Sequence, residues 1–325
     1  MSVDAGALVG DAYYSPWSRP IAPSPFIDAA HPLARDIERQ YPYERQRALP
    51  GFPAMARAIT EVWRADPGPD GEYSRLLRDS GRVNAGTASL YLDYTPGGLT
   101  QARLRDLLGR FGLASDTRAR ALLVYLSFVG FIEPGRADGP GHPKYYRTTE
   151  QLRSAVKGRA RRELEVRRAA DPAVGDLLAR FDEEGLYAAF YMTSAEISLE
   201  ASRISPPRDD AAFKLFSDRF DGLPVLFELL RRGDPGDRFP PRGPLSFNIT
   251  ELARLSSCSR TQVSGLLGKA RARGYLIACP DGRERLSESL LQSAEMFMAL
   301  TTAIMVGAAR IVLGRPPQMY GDPEG

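Results

Sequence analysis

Residues 255–276 decide the fold of this chain, and they read Leu-Ser-Ser-Cys-Ser-Arg-Thr-Gln-Val-Ser-Gly-Leu-Leu-Gly-Lys-Ala-Arg-Ala-Arg-Gly-Tyr-Leu. The pattern predicts the end of a short helix, a tight turn and a longer helix that begins after the capping residue Ser259. Gly274 ends the longer helix, and an apolar strand follows it. This order of elements is typical of a helix-turn-helix followed by a hairpin, or wing, and it indicates contact with duplex DNA.

The same pattern occurs a second time, 144 residues earlier in the chain. Residues 111–132 read Phe-Gly-Leu-Ala-Ser-Asp-Thr-Arg-Ala-Arg-Ala-Leu-Leu-Val-Tyr-Leu-Ser-Phe-Val-Gly-Phe-Ile. Without gaps, the aligned pairs are Ser115 with Ser259, Thr117 with Thr261, Leu122-Leu123 with Leu266-Leu267, and Gly130 with Gly274. The chain is therefore expected to contain two winged helix-turn-helix units in tandem.

The flanks of the first copy complete such a unit. Thr100 is the expected cap of its first helix, and Ser115 is the expected cap of its second helix. Two strands then enclose a loop rich in Gly, Pro and Asp. The tip of this wing carries Arg136, His142 and Lys144, and His142 is expected to be an ordinary loop residue.

The flanks of the second copy are shorter. Residues 247–249 are expected to form a short strand, and Thr250 is expected to cap the first helix. A tight turn at 280–282 closes a small wing that carries Arg283 and Arg285. Cys258 lies in the turn between the two helices, where a small side chain fills the core.

The overall fold class is expected to be mainly α with small β wings, and long helices join and flank the two units. Five segments are predicted: an extended Pro- and aromatic-rich arm at 1–53, a first winged-helix domain with flanking helices at 54–170, a helical connector at 171–244, a second winged-helix domain at 245–288, and a C-terminal helix with a tail at 289–325. Residues 87–94 fit a strand or a helix end equally well.

Two of the long helices carry partner predictions. The helix that begins near 150 is expected to present its basic residues on the surface, namely Lys157, Arg159, Arg161, Arg162, Arg167 and Arg168. The last helix contains an uncharged stretch at 296–309, which is shorter than the roughly 20 residues that a membrane span needs. Small residues at 299, 303 and 307 let another helix approach closely, so the helix is buried in its own subunit or, as favoured here, in a homodimer.

Positive charge collects on the two copies. The whole chain has a net charge of +3, yet residues 99–170 carry +8 and residues 245–290 carry +3, while residues 171–244 carry −5. A polyanionic partner for the copies is the simplest use of this distribution. The alternative is that arginine-rich helices only keep the protein soluble.

Composition argues against an enzyme, a metal protein or a secreted protein. The two cysteines, Cys258 and Cys279, provide neither a disulfide framework nor a zinc spacing, and a reducing cytoplasm is the expected compartment. Two histidines, His31 and His142, are too few for a histidine metal site and do not suggest a catalytic triad. Phosphate-loop, nucleophile-elbow and zincin motifs are missing, and no secretion signal or cofactor is expected.

The candidate DNA contacts are the polar residues expected on the exposed sides of the second helices and on the wings. Arginine can bind guanine, glutamine can bind adenine, and Ser or Thr can reach phosphate or base edges. In the first copy they are Ser115, Thr117, Arg118, Arg120, Arg136 and Lys144; in the second they are Ser259, Arg260, Thr261, Gln262, Ser264, Lys269, Arg283 and Arg285. Asp116 of the first copy is poorly placed for DNA, because an acid repels phosphate.

The second copy resembles the winged helix-turn-helix of MarR-type bacterial regulators, and the residues that carry the likeness are Thr250-Glu-Leu-Ala253, Ser259-Arg-Thr-Gln-Val-Ser-Gly-Leu-Leu267, Arg273-Gly-Tyr-Leu276 and the short wing that ends in Leu286-Ser-Glu288. Thr100–Gln151 is similar, with a longer wing. The resemblance implies binding of double-stranded DNA, dimers formed through flanking helices and, in some members, a small-molecule effector. Two units in one chain depart from the family's one-unit pattern.

The favoured function is a sequence-specific transcriptional regulator that binds double-stranded DNA through both units. One alternative is a replication-initiation or partition factor, since some of these proteins also use tandem winged helices. A second alternative is a protein-interaction scaffold whose winged helices have lost DNA binding, and the acidic segment at 171–244 is compatible with it.

Overall fold

The computed structural model describes residues 43–49, 51–63, 76, 80–110, 113–135, 144–204, 211–218, 222–233 and 239–315. Within these residues the protein is mainly α-helical, with small antiparallel sheets, as the sequence predicts. The predicted extended arm lies largely outside the described residues, and so does the wing tip with Arg136 and His142. The described end of the arm is helical and not extended: Tyr43–Ala48 is a helix, and the next helix begins at Phe52.

The elements follow one another along the chain in this order. The helices are α1 (Tyr43–Ala48), α2 (Phe52–Val62), α3 (Ser80–Asp93), α4 (Gln101–Arg110), α5 (Asp116–Phe128), α6 (Glu150–Arg167), α7 (Pro172–Ala179), α8 (Glu184–Ile204), α9 (Ala211–Ser217), α10 (Gly222–Leu230), α11 (Ile249–Leu255), α12 (Arg260–Ala272) and α13 (Glu288–Val312). The strands are β1 (Leu99–Thr100), β2 (Ile132–Pro134), β3 (Tyr145–Thr148), β4 (Leu276–Ala278) and β5 (Glu284–Leu286).

The chain packs as two compact units. Among the described residues, the first unit comprises those within 84–204 and 303–315, and the second comprises those within 43–83 and 211–302. Each unit contains one of the repeated patterns. We refer to residues 99–148 as the first repeat and to residues 245–286 as the second repeat. The five segment boundaries predicted from the sequence stay a prediction.

Side-chain caps set the helix starts in the first unit. The Thr100 hydroxyl accepts a hydrogen bond from the Arg103 N–H at 3.2 Å, and the Ser115 hydroxyl accepts one from the Arg118 N–H at 3.4 Å. Such caps satisfy amide groups that have no partner inside the helix. Both capping residues are those predicted from the sequence. Residues 87–93, which fit either a strand or a helix end, belong to α3.

The sheet of the first repeat has the strand order β1-β3-β2 and is antiparallel throughout. Leu99 pairs with Tyr146, and Ile132 pairs with Thr148. The core of this repeat contains the leucine stripe of α4 and α5 together with the start of β2, namely Leu104, Leu108, Ala119, Leu122, Leu123, Leu126, Phe131 and Ile132. Because α5 buries this stripe, its opposite side is left for solvent or for a partner.

Helix α6 corrects one expectation. Two of its arginines, predicted on the surface, are buried: Arg159 is 5% exposed and Arg167 is 0% exposed. Glu163 lies between them on the same side of the helix, 2.7 Å from Arg159 and 3.2 Å from Arg167. Burying an arginine is tolerable only when its charge is paired, and this i, i+4, i+8 series provides the pairing. Lys157 and Arg161 instead lie near the exposed carboxylate of Asp182.

The second unit is built around an aromatic cluster. The Trp63 ring contacts Phe227 and Phe297 edge-on, with centroid distances of 5.7 and 5.4 Å, and Phe213 stacks on Phe297 at 4.8 Å. The second repeat adds the buried face of α11 and α12, namely Leu252, Ala253, Val263, Leu266, Leu267 and Ala270. The hairpin β4–β5 pairs Leu276 with Leu286, and both side chains are buried.

The start of the second repeat differs from the sequence-based expectation. Residues 247–249 are not a strand, and Thr250 is not the cap. Instead, the Asn248 side chain accepts from the N–H groups of Thr250 and Glu251, so α11 begins at Ile249. The extended segment lies slightly earlier, where Leu245 forms a bridge with Glu284 of β5. Asparagine is among the strongest N-caps, and here it precedes the threonine.

Helix α13 is, among the described residues, the one helix long and apolar enough to cross a membrane by length and composition. In its most apolar window of 18 residues, 67% of the residues are buried within the protein. Ala299 and Ala303, whose small size was expected to admit a second helix, are 3% and 2% exposed. A single chain therefore already covers this face, and a homodimer through α13 stays a prediction.

Candidate nucleic-acid interface

The first turn of α12 is held by a capping box. The Ser259 hydroxyl accepts from the Gln262 N–H at 3.2 Å, and the Gln262 side-chain oxygen accepts from the Ser259 N–H at 3.0 Å. This reciprocal pair fixes the direction in which the chain enters the helix. The partial positive charge of the helix N-terminus lies in the same turn and favours an anionic group nearby.

The predicted contact residues of the second repeat all lie on the exposed side of this helix or at its cap. Exposed residues alternate with a buried stripe in which Val263, Leu266 and Leu267 anchor the helix. The exposed candidates are Ser259, Arg260, Thr261, Gln262, Ser264 and Lys269. The structure therefore brings two cations, three hydroxyl groups and one amide together within the first three turns of one helix and its cap.

An open hollow adjoins this surface. It has a volume of about 690 Å³ and is lined by Ile249, Arg260, Thr261, Ser264 and Gly265. A methyl group placed on Gly265 meets no atom within 4 Å, and the same holds for Gly268 one turn later. Neither glycine is needed for packing within the chain. Because both lack a side chain, the backbone in the middle of this helix surface is accessible to a large partner.

The hairpin of the second repeat is tied to α12 by an ion pair. Arg271 donates to both carboxylate oxygens of Glu284, at 2.6 and 3.1 Å. At the hairpin tip, Arg283 donates to Asp281 from its backbone and its side chain. These hydrogen bonds hold the pKa of Asp281 below its ordinary value, and the bond from the Arg283 backbone has the largest effect. Arg283 thus has a role within the turn, whereas Arg285 is exposed on β5.

The first repeat places its candidates in the same way but in different chemical surroundings. Ser115, Thr117, Arg118 and Arg120 are all exposed at the start of α5, and Lys144 is exposed just before β3. Asp116 is also exposed, 3.9 Å from Arg105 of α4. A carboxylate therefore occupies the position that Arg260 holds in the second repeat. Arg136 lies outside the described residues.

The exposed side of α5 then becomes apolar. Val124 is 64% exposed and Phe128 is 86% exposed, which are high values for side chains of this kind. The aligned residues of α12 are Gly268 and Ala272, both small and exposed. The sequence alone does not distinguish Val124 and Phe128, because apolar residues of a helix are usually buried and only the packing shows that these two are exposed.

A buried carboxylate positions the hairpin of the first repeat. Asp93, at the end of α3, accepts hydrogen bonds from the backbone N–H of Thr148, at 3.0 Å, and from its hydroxyl group. Burial raises the pKa of Asp93, although these hydrogen bonds and the nearby charges of Arg153 and Arg147 oppose the rise. Sequence reasoning missed this contact, since 55 residues separate its partners.

The turn between α11 and α12 contains a second unpredicted feature. Ser257 has a φ of +54°, in the left-handed region that non-glycine residues rarely adopt. Beside it, Cys258 is half-buried, and its thiol donates to the Ser256 carbonyl at 3.1 Å. The sharp reversal at Ser257 sets the angle between the two helices, and with it the direction in which α12 points.

Within the described part of the chain, no group of three or more His, Cys, Asp or Glu side chains is arranged to hold a metal ion. No protein-family model, curated protein or solved structure matches the chain. The geometry of the two repeats is therefore the basis for any functional conclusion.

Proposed function

We propose that this protein is a sequence-specific, double-stranded DNA-binding transcriptional regulator. Each repeat is proposed to be a winged helix-turn-helix of the MarR-like type, with α12 as the groove-facing helix and the start of α5, with Ser115 and Arg118, beside the phosphates. The single observation that carries the proposal is the exposed N-terminal part of α12, where Arg260, Thr261 and Ser264 line an open hollow, together with Arg285 exposed on the hairpin of the same repeat. A helix of this kind inserts its N-terminal residues into the major groove.

The residues of α12 would divide the work between base edges and phosphates. Arg260 has the length and the donor geometry to bind guanine in the major groove. Gln262 is less suited to the adenine contact expected from the sequence, because its side-chain oxygen already caps the helix. We assign it mainly to positioning. Ser259, Thr261 and Lys269 would contact phosphates, which fix the protein on the duplex without recognising its sequence.

The hairpins and the first repeat would supply further phosphate contacts. Arg285 on β5 extends the basic surface of the second repeat, and Arg118 and Lys144 do the same in the first. Arg283 is a weaker candidate, because Asp281 neutralises it. When one phosphate contact is removed, the slope of log affinity against log salt concentration should become shallower by about one unit. The first repeat, with Asp116 at its helix tip, is proposed to contribute less than the second.

The proposal is tested by recovering genomic fragments bound by the full chain and measuring affinity for them at two salt concentrations. We expect affinity to fall steeply with salt. Arg260→Ala combined with Gln262→Ala should abolish the discrimination between preferred and random duplexes, while the circular dichroism spectrum stays unchanged. Arg168→Ala is the control, since Arg168 is an exposed arginine at the end of α6, outside both repeats. Binding that is absent or insensitive to salt would favour the scaffold alternative.

The genomic position of the recovered fragments separates the remaining alternatives. A regulator should enrich promoters, whereas a replication-initiation or partition factor should enrich iterated sequences at an origin. A homodimer through α13 and a small-molecule effector stay predictions that follow from the MarR-type resemblance.

A further inference from the structure

The exposed side of α5 forms one continuous surface along the helix. At 100° per residue, six residues fall within about 60° of Val124. We call this set the α5 face; its members are Thr117, Arg120, Ala121, Val124, Ser127 and Phe128, and all six are exposed. Its middle and C-terminal part is apolar, and its N-terminal part carries a cation. A single helix rarely leaves such a stripe in water unless something covers it.

We propose that the α5 face binds the α5 face of a second copy of this chain, in an antiparallel arrangement, when two copies occupy neighbouring DNA sites. This inference rests on the proposed function. It concerns a surface other than α13, which the sequence analysis favoured for a homodimer.

The face complements itself when two copies run in opposite directions about Val124. Phe128 lies four residues after the centre at Val124, and Arg120 and Ala121 lie four and three residues before it. In the antiparallel pair, Phe128 of one copy is therefore level with Arg120 and Ala121 of the other copy. An arginine guanidinium beside an aromatic ring is a favourable pairing, and the methyl group of Ala121 leaves room for the ring. The two-fold symmetry repeats this contact on the other side.

The size of the face explains why DNA is needed. Two copies of Val124, Phe128 and Ala121 would bury on the order of 500 Å², well below the roughly 1,200 Å² of stable complexes. Free copies therefore associate weakly. Two copies held on adjacent sites have a high effective concentration, and a small contact then becomes significant. The expected result is cooperative binding to paired sites.

A DNA groove is a less suitable occupant for this surface. Base contacts in a helix-turn-helix come from the first turns of the helix, whereas Val124 and Phe128 lie in the last two turns of α5. The proposal therefore assigns Arg120 to the contact between copies, where the sequence analysis assigned it to DNA. Arg118 lies about 120° away from Val124 around the helix, outside the α5 face.

Disulfide formation tests the geometry. In a full chain with Cys258→Ser and Cys279→Ser, Val124→Cys places two thiols next to the two-fold axis. The matched control, compared in the absence of DNA, is Gly268→Cys, since Gly268 is the aligned position of α12 and is also exposed. Under mild oxidation, we expect Val124→Cys to form dimers at least 10-fold faster than Gly268→Cys, and faster still on a duplex with two sites. Equal rates for the two variants would overturn the proposal.

Cooperativity tests the partner. On a duplex with two adjacent recovered sites, wild type should bind with a Hill coefficient above 1. Phe128→Lys should lower it to 1, since the new cation faces Arg120 of the other copy, and Arg120→Glu in the same chain should restore it. Affinity for a single-site duplex should change less than 2-fold in Phe128→Lys. A large loss on the single site would mean that the α5 face binds DNA, which overturns the inference. If wild type binds no DNA, the proposed function fails, and the disulfide test without DNA still decides the pairing of the faces.

Discussion

Helices α5 and α12 begin with the same capping serine and bury the same leucine pair, yet their exposed sides have different chemistry. Arg260 in α12 aligns with Asp116 in α5, and Gly268 aligns with Val124. Helix α5 therefore exposes a carboxylate followed by apolar side chains, and α12 exposes a cation followed by glycines that leave the backbone accessible. The buried positions of a repeat maintain its fold, while its exposed positions are free to take a separate role.

The two hairpins also differ in how they are attached. The first is tied to α3 by the buried carboxylate of Asp93, which accepts two hydrogen bonds from Thr148. The second is tied to α12 by the Glu284 carboxylate, which is 16% exposed and accepts from the exposed guanidinium of Arg271. The Asp93 acceptor is costly to lose, because Thr148 is buried and its donors would be left without a partner, whereas water can solvate the exposed guanidinium of Arg271. The first hairpin should be the more firmly held.

An exchange of charge at the aligned helix tips should have the largest effect. Arg260→Asp removes a cation next to phosphate and introduces an anion, so we expect affinity for a recovered DNA fragment to fall by about 100-fold or more, which is roughly 2.7 kcal/mol. Asp116→Arg should raise affinity by several-fold. Fluorescence anisotropy with a labelled duplex at fixed salt measures both changes.

The control for this exchange is Glu165→Arg, which changes an exposed carboxylate of α6 by the same two charges outside the repeats. It should alter affinity much less than Asp116→Arg. If Arg260→Asp binds as well as wild type, α12 is not the helix that enters the groove.

The difference in hairpin attachment should appear as a difference in stability. Asp93→Ala leaves the N–H of Thr148 without its acceptor, and we expect a loss of about 2–3 kcal/mol in the first unit. Glu284→Ala should cost under about 1 kcal/mol, because Arg271 is 41% exposed and can be solvated. Hydrogen exchange read by mass spectrometry on peptides that contain β3 and β5 resolves the two effects. Equal losses would contradict the assignment of Asp93 as the stronger attachment.

The glycines of α12 allow a test in which stability and binding move in opposite directions. Gly265→Ala with Gly268→Ala should stabilise the helix by up to about 1 kcal/mol per site, since no atom lies within 4 Å of either added methyl group. The same methyl groups should weaken DNA binding by about 5- to 10-fold, because they hold the groove away from the helix.

Gly109→Ala is the matched control for the glycine pair. Gly109 is an exposed glycine of α4 whose added methyl group also meets no atom within 4 Å. It should raise the midpoint of thermal unfolding and leave DNA affinity unchanged. Affinity that is unchanged in the Gly265→Ala, Gly268→Ala variant as well would mean that this part of α12 stays outside the groove.

Local signals in the sequence were sufficient for much of the fold. The capping serines, the glycine stops and the leucine stripe each act over one or two helical turns, so Ser115, Ser259 and the bounds of α5 and α12 followed from the pattern. The cap of α11 was wrong by two residues, because Asn248 and Thr250 are both good caps and the choice depends on where the preceding bridge at Leu245 ends.

Long-range features could not be predicted in the same way. Arg159 and Arg167 look like surface residues until the buried surroundings of Glu163 are known, and the contact of Asp93 with Thr148 depends on how α3 packs. For the site, the exposed polar residues of α12 were predicted individually. The hollow beside them, the internal bond of Gln262 and the apolar end of α5 depend on the three-dimensional arrangement.

The smallest predicted effect concerns pH and the first hairpin. Burial raises the pKa of Asp93 in the folded protein, so the folded state takes up a proton before the unfolded state does as the pH falls. As the pH falls from neutral to the ordinary pKa of an aspartate, the free energy of unfolding of wild type should therefore increase relative to that of Asp93→Asn. All other carboxylates are the same in the two proteins, so their contributions cancel in the difference. At pH values below the ordinary pKa of an aspartate, wild type should instead lose stability relative to Asp182→Asn, because the hydrogen bond from Arg161 lowers the pKa of Asp182 and protonation removes that interaction. Urea unfolding of the three proteins at a series of pH values measures both differences, and two trends of the same sign would show that Asp93 is not held in a buried, charge-disfavouring site.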